Sequence, residues 1–241
     1  MHFYRMLRPI HAITLDLDNT LYSNYSVMNQ AEEKAVLFLQ QYHPALSKIQ
    51  KTDYCRARKI LKIVEPNIYH DVNYWRWKSL KITLLQAGLN KNEAQAGADF
   101  AMEIIIYWRN KIDIPISTHN TLSALNDKWP LIAITNGNAN PITCGLQPYF
   151  QYILRAGING RAKPYTDMYY LASKHFGLPC KNILHVGDDW KTDVKGAIYS
   201  GMQACWINQY NTDKADQFYS INTKFFPHLK ISKLISLTHL L

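Results

Sequence analysis

Apolar positions in this chain follow two rhythms. Short runs of apolar residues stop abruptly at polar turn residues: Ala12-Ile13-Thr14-Leu15 before Asp16, Leu131-Ile132-Ala133-Ile134 before Thr135, and Ile183-Leu184-His185-Val186 before Gly187. Ala204-Cys205-Trp206-Ile207 is a fourth such run, and Ile153-Leu154-Arg155-Ala156 a weaker one. Runs of this length bounded by Gly, Asn or Asp predict buried parallel strands. Helix-forming stretches over 118–128, 167–176 and 193–200 fall between them. Strands alternating with helices predict an α/β fold built on a doubly wound parallel sheet. In such sheets the carboxyl ends of the strands gather around one crevice, where ligands bind. The polar residues that end the runs are therefore expected to meet.

One interval breaks the rhythm. About 115 residues separate Asp16 from Leu131, whereas a whole strand–helix–strand unit needs only about 30. From Ser26 to Trp108 the pattern is helical, with segments at Ala31–Leu39, Tyr54–Val64, Tyr74–Ala87 and Glu93–Arg109. Pro66 stops the second segment, and Gly88 follows the third as a C-terminal cap. Four helices without a strand predict an all-helical cap over 22–111, inserted into a core made of 1–21 and 112–241 and lying above the strand ends. The tail 208–241 carries no readable pattern.

Composition narrows the class. With 241 residues, 47% of them hydrophobic, the chain can bury a large core. No apolar stretch nears the roughly 18 residues of a membrane span, and the arginine-bearing N-terminus lacks the apolar stretch of a signal peptide. Cys55, Cys144, Cys180 and Cys205 have no metal-ligand spacing and read as reduced thiols of a cytoplasmic protein. The net charge of +9 is partly gathered in Lys48, Lys51, Arg56, Arg58, Lys59 and Lys62. Without a nucleic-acid motif, that cluster reads as a solvated helix face. The expected partner is a small phosphorylated metabolite rather than nucleic acid or a membrane, and no signal bears on oligomeric state.

The strand ends carry the chemistry. Asp16 and Asp18 lie two residues apart just after the first run. One carboxylate can act as a nucleophile and form an aspartyl-phosphate. The other can protonate the leaving alkoxide and then activate water. Their repulsion with Asp188 and Asp189 would be offset by a hard cation such as Mg²⁺. Thr135, Asn136 and the backbone N–H groups that follow could bind phosphoryl oxygens, as could Lys163 of Arg161-Ala162-Lys163-Pro164. Each residue alone has a plainer reading. An aspartate near a strand end is usually a cap or turn, Asp193 an acid at a helix start, and His185 a satisfied core histidine. Their joint occurrence in order argues for the site.

That order, Asp-x-Asp-x-Thr (Asp16, Asp18, Thr20), Thr-Asn-Gly (135–137), Lys163-Pro164 and Gly-Asp-Asp-x-x-x-Asp (187–193), resembles the haloacid dehalogenase superfamily. Gly196-Ala197 and Gly201-Met202 fit the same pattern, while Trp190 departs from its usual small or aliphatic residue. The resemblance implies a Rossmann-like core with a helical cap, Asp16 as nucleophile and Asp18 as general acid and base. It implies phosphoryl binding by Thr135 and Lys163, and Mg²⁺ held by Asp16, the Asp18 carbonyl and Asp188. Asp189 or Asp193 would orient water or Lys163. Segments 3–5, 65–72, 134–139 and 201–207 are similar to bacterial phosphatases acting on 5-amino-6-(5-phospho-D-ribitylamino)uracil in riboflavin synthesis. Those are similar in turn to broad sugar- and nucleotide-phosphate phosphatases with activity on FMN. Tyr69, Trp75 and Arg76 are candidate substrate contacts in the cap, with packing as the plain alternative for the tryptophan. A dehalogenase would lack Asp18, a phosphomutase would keep it, and a non-catalytic binding protein would have lost one of these residues.

Overall fold

The computed structural model describes residues 1–208 and 225–241. They divide into two compact units: 1–23, 113–137 and 145–241 form one, 24–112 and 138–144 the other.

The first unit holds the sheet. Its strands are β1 (His2–Phe3), β2 (Ala12–Leu15), β3 (Leu131–Thr135), β4 (Tyr152–Arg155), β5 (Ile183–Gly187), β6 (Gln203–Ile207) and β7 (Leu229–Ile231). Among the described residues they lie in the order β1-β7-β6-β5-β2-β3-β4. All neighbours run parallel except the edge pair β1–β7. Every residue of β2, β3, β5 and β6 is buried, as expected of strands covered on both faces. This is the Rossmann-like arrangement. From β2 the chain steps outward through β3 and β4, then returns to the other side of β2 at β5. Such a reversal places a crevice at the carboxyl end of β2, between the loops that follow it and its neighbours.

Two features escape the sequence pattern. A π-helical turn, Trp190–Val194, replaces the first turn of the helix expected over 193–200, and the α-helix proper covers only Lys195–Tyr199. The tail supplies β7 and a 3₁₀ segment, Leu234–Leu240, while 209–224, the middle of that unread stretch, lies outside the described residues.

The second unit is helical: α1 (Tyr25–Tyr42), α2 (Lys51–Val64), α3 (Val72–Gln86) and α4 (Lys91–Arg109). Side chains cap the starts of α3 and α4. Asn90 and Glu93 form a reciprocal capping box at α4, and Asp71 accepts from Asn73 and Tyr74 N–H groups at α3. Gly88, with φ of 100°, lets the chain leave α3. Leu39, Leu46, Leu80, Leu84 and Ile105 make the unit's own core. The stretch 138–144 belongs with these helices, although it follows the β3 motif directly in sequence.

Candidate active site

Asp16 follows β2 directly, and its N–H is tied to the Val186 carbonyl of β5 at 2.9 Å. Asp18 sits one turn on, its Oδ1 accepting from the Tyr22 hydroxyl at 2.7 Å. Between them and Tyr22 the chain folds back through Asn19, whose φ of 60° is a left-handed conformation that asparagine tolerates. Thr135 ends β3, and its hydroxyl accepts the Gly137 N–H at 2.9 Å. Asp188 and Asp189 follow β5. With Asn136, Lys163 and Asp193, these residues line one cavity of about 240 Å³. All eight core residues singled out in the sequence thus converge.

Lys163 is the centre of the charge arrangement. Its Nζ donates to Asp16 Oδ1 and Asp193 Oδ1, each at 2.6 Å, and to the Ile134 carbonyl at 2.8 Å. All three ammonium protons are used. Burial opposes its charge, yet Asp16 and Asp193 hold its pKa above the usual lysine value. For Asp193 burial acts upward, but Lys163 and His185 win and hold the carboxyl well below its usual range. Burial raises Asp16 despite Lys163, with Asp193, Asp188 and Asp18 adding to the rise. Asp188 is pushed up to about 7 by burial and by its neighbours Asp193 and Asp189. One lysine therefore serves several carboxylates, and negative charge is left over on the Asp16–Asp188 side.

That surplus fits a divalent cation. Carboxylate oxygens of Asp16, Asp188 and Asp193 lie within 4.8 Å of one another. Asp193 is already committed to Lys163, to His185 and, through Oδ2, to the Asp189 N–H at 3.0 Å. Asp16 gives Oδ1 to Lys163, but its Oδ2 and Asp188 Oδ1 face the Thr20 hydroxyl at long distances, 3.4 and 3.3 Å. Hard oxygen ligands of this kind suit Mg²⁺.

Two glycines make room for the acids. A Cβ at Gly187 would lie 2.3 Å from the Asp193 carboxyl carbon, and one at Gly137 would lie 2.2 Å from Asp18 Oδ2.

A model of the haloacid dehalogenase-like hydrolases matches residues 10–201. The chain belongs to that family. It is 51% identical to the 5-amino-6-(5-phospho-D-ribitylamino)uracil phosphatase of Escherichia coli, over the whole of both chains. Among solved structures, a 2-haloacid dehalogenase from Pseudomonas syringae superposes with a TM-score of 0.86 at 28% identity, covering 96% of this chain and 97% of that one. A HAD-hydrolase of Bacillus subtilis solved with magnesium shares the fold at TM-score 0.69 and 17% identity, with 97% and 99% coverage. This HAD-like chain is an enzyme, and its full-length relative makes it a phosphatase.

Several side chains do other work than the motif order suggests. Both ends of the Asn136 amide are engaged with the Lys163 backbone, at 2.7 and 3.0 Å, so it clamps the lysine loop. Asp189 Oδ1 accepts from the Thr192 N–H and hydroxyl, a cap on the π turn. Orientation of Lys163 falls to Asp193 alone of the two. His185, read as a core histidine, is buried as expected but reaches Asp193. The signal was present: Thr14 and His185 are the polar residues within two otherwise apolar runs.

In the helical unit, Arg76 is buried beside Glu32 at 3.8 Å. Burial, then Arg58, lowers its pKa to about 10. Trp75 donates its indole N–H to the Arg58 carbonyl at 2.9 Å, and the Arg58 guanidinium lies over its ring. Lys62 stands over both Tyr69 and Trp75. Of the basic cluster, Lys48, Arg56, Lys59 and Lys62 are exposed, as expected of a solvated face, while Lys51 and Arg58 are half-buried and pair with Glu32 at 2.6 and 3.5 Å. Among the described residues no helix is long and apolar enough to cross a membrane.

Proposed function

We propose that this phosphatase is a Mg²⁺-dependent phosphomonoester hydrolase that works through an aspartyl-phosphate. Its preferred substrate is 5-amino-6-(5-phospho-D-ribitylamino)uracil, with FMN and other small phosphate esters as secondary ones. The observation that carries the reaction class is the meeting of Asp16, Asp18, Thr135, Lys163 and Asp188 in one cavity. The substrate rests on the full-length relative.

Asp16 attacks phosphorus and the ester P–O bond breaks, with Asp18 giving its proton to the departing oxygen. Asp18, now a carboxylate, takes a proton from water. That water's oxygen attacks the same phosphorus, the Asp16–phosphorus bond breaks, and inorganic phosphate leaves. Lys163 neutralises Asp16 and, with the Thr135 hydroxyl and the backbone N–H groups after it, receives the phosphoryl oxygens. Asp16, the Asp18 carbonyl and Asp188 would hold Mg²⁺, which supplies charge neutralisation and polarises the phosphoryl group. Cytoplasmic localisation accords with four free cysteines.

Leaving-group choice belongs to the helical residues, the cap of this reading, with Tyr69 and Trp75 offering rings to the pyrimidine. Arg76, also a candidate contact in the sequence, is buried against Glu32 and belongs to the interior of the helical unit instead. Trp75→Ala is expected to change substrate ranking more than turnover of a generic aryl phosphate; equal losses on both would refute the assignment. The test of the whole reading is phosphate release, with and without Mg²⁺, on the ribitylaminouracil phosphate, FMN, pyridoxal phosphate, a sugar phosphate and an aryl phosphate. Mg²⁺-dependent release, fastest on the first, is expected. Retention of the phosphoryl group on a rearranged sugar would reveal a mutase instead.

A further inference from the structure

Thr14 and His185 face each other across the two central strands, as register partners of β2 and β5. Both are almost fully buried. Thr14 Oγ1 lies 2.9 Å from His185 Nδ1, and His185 Nε2 lies 3.3 Å from Asp193 Oδ1. The Tyr169 ring packs edge-on against the imidazole at 5.0 Å. From Asp193 the chain of contacts continues to Lys163 and then to Asp16, both at 2.6 Å.

The proton positions follow from donor counting. Burial lowers the His185 pKa, so the ring is neutral and carries one N–H. The Asp193 carboxylate only accepts, which puts that hydrogen on Nε2. Nδ1 is then the acceptor for the Thr14 hydroxyl. Asp193 Oδ2 is fixed by the Asp189 N–H, and Oδ1 receives both the imidazole and the ammonium. Removing the imidazole N–H leaves Lys163, among the described residues, as the sole side-chain donor on Oδ1, and carboxyl rotation is soft.

We propose that His185, tuned by Thr14, is a positioning residue that fixes Asp193 and thereby holds the Lys163 ammonium against Asp16. The role rests on the phosphatase reading above. A purely structural histidine in this apolar layer would be replaceable by leucine without kinetic effect.

Three variants separate the alternatives. H185L keeps volume without an N–H, H185Q keeps an amide N–H near the Nε2 position, and T14V keeps shape without the hydroxyl. On a small phosphate ester, H185L is expected to lower kcat about tenfold or more with little change in KM, the range seen when outer-shell partners are lost. H185Q should recover most of that loss, and T14V should add nothing in the double variant with H185L. Unchanged kcat in H185L, or H185Q as impaired as H185L, overturns the proposal. If H185L does not fold, H185Q and T14V decide: near-parental turnover in H185Q and reduced kcat in T14V support it, the reverse overturns it. An activity-independent readout is the imidazole N–H in proton NMR. Nε2–H protected from exchange and shifted in D193N supports the proposal, whereas an Nδ1–H tautomer overturns it. Should the parent hydrolyse no phosphate ester, the functional reading fails and the NMR arm still judges the geometry.

Discussion

Gly137→Ala tests the role proposed for Asp18 as general acid. The added Cβ would lie 2.2 Å from Asp18 Oδ2 and 3.3 Å from the Thr135 hydroxyl. A carbon–oxygen contact needs about 3.2–3.5 Å, so the carboxylate must retreat by about 1 Å. It is the end of a side chain, and its retreat should cost the fold under about 1 kcal/mol. The same displacement at a reacting group costs about 10²-fold in rate. Alkyl and aryl phosphates then diverge. An alkyl leaving group needs the proton from Asp18, so both steps slow and kcat falls about 10²-fold. Nitrophenolate leaves without a proton, and only the water step slows. Rapid mixing of the variant with p-nitrophenyl phosphate should therefore give a stoichiometric burst of nitrophenol followed by slow turnover. The reasoning is refuted if alkyl turnover stays within about threefold of the parent, or if the aryl ester shows no burst.

Lys163→Met leaves Asp16 and Asp193 buried without their cation. Breaking a buried pair costs about 3–5 kcal/mol, or about 6–20 °C in Tm for a chain of this size; a shift under a few degrees would contradict the charge account. Asp188, raised to about 7, is protonated below that pH and competes with a cation. The thermal shift produced by Mg²⁺ should grow from about pH 6 to pH 8, by about 1.4 kcal/mol for a tenfold change in affinity, and D188N should flatten it. His228 is lowered to about 4 by burial and by Arg5 and Arg8, while Nδ1 accepts the Ala204 N–H at 3.1 Å. Its protonation thus favours the unfolded chain, so stability present above about pH 6.5 is lost toward pH 4. His228→Asn should make Tm less steep across that window; an unchanged slope would remove His228 as the cause.

The central sheet and the converging acids were legible because β2, β3 and β5 are short, mostly apolar runs that each end at residues of the site. The long gap before Leu131 likewise betrayed the helices. What escaped depends on geometry that one-dimensional patterning does not carry. β1 is two residues long and exposed, too short for any period to register. The π turn at Trp190–Val194 lets Asp189 cap it while Asp193 turns inward, and no spacing rule separates those two aspartates. Asn136 looked like a phosphate ligand because its motif places it beside Thr135; its clamp on Lys163 requires a loop 27 residues away. His185 was visible as a polar residue in a buried run, but its partner Asp193 became evident only once β5 and the π turn were in place.

The claim on which the account depends is that Asp16 carries the phosphoryl group. Acid quenching during turnover of a good substrate, followed by borohydride reduction and peptide mass analysis, tests it directly. The account predicts homoserine at position 16, absent without Mg²⁺ and absent in Asp16→Asn. Homoserine at another carboxylate, or none under conditions of rapid phosphate release, would contradict it.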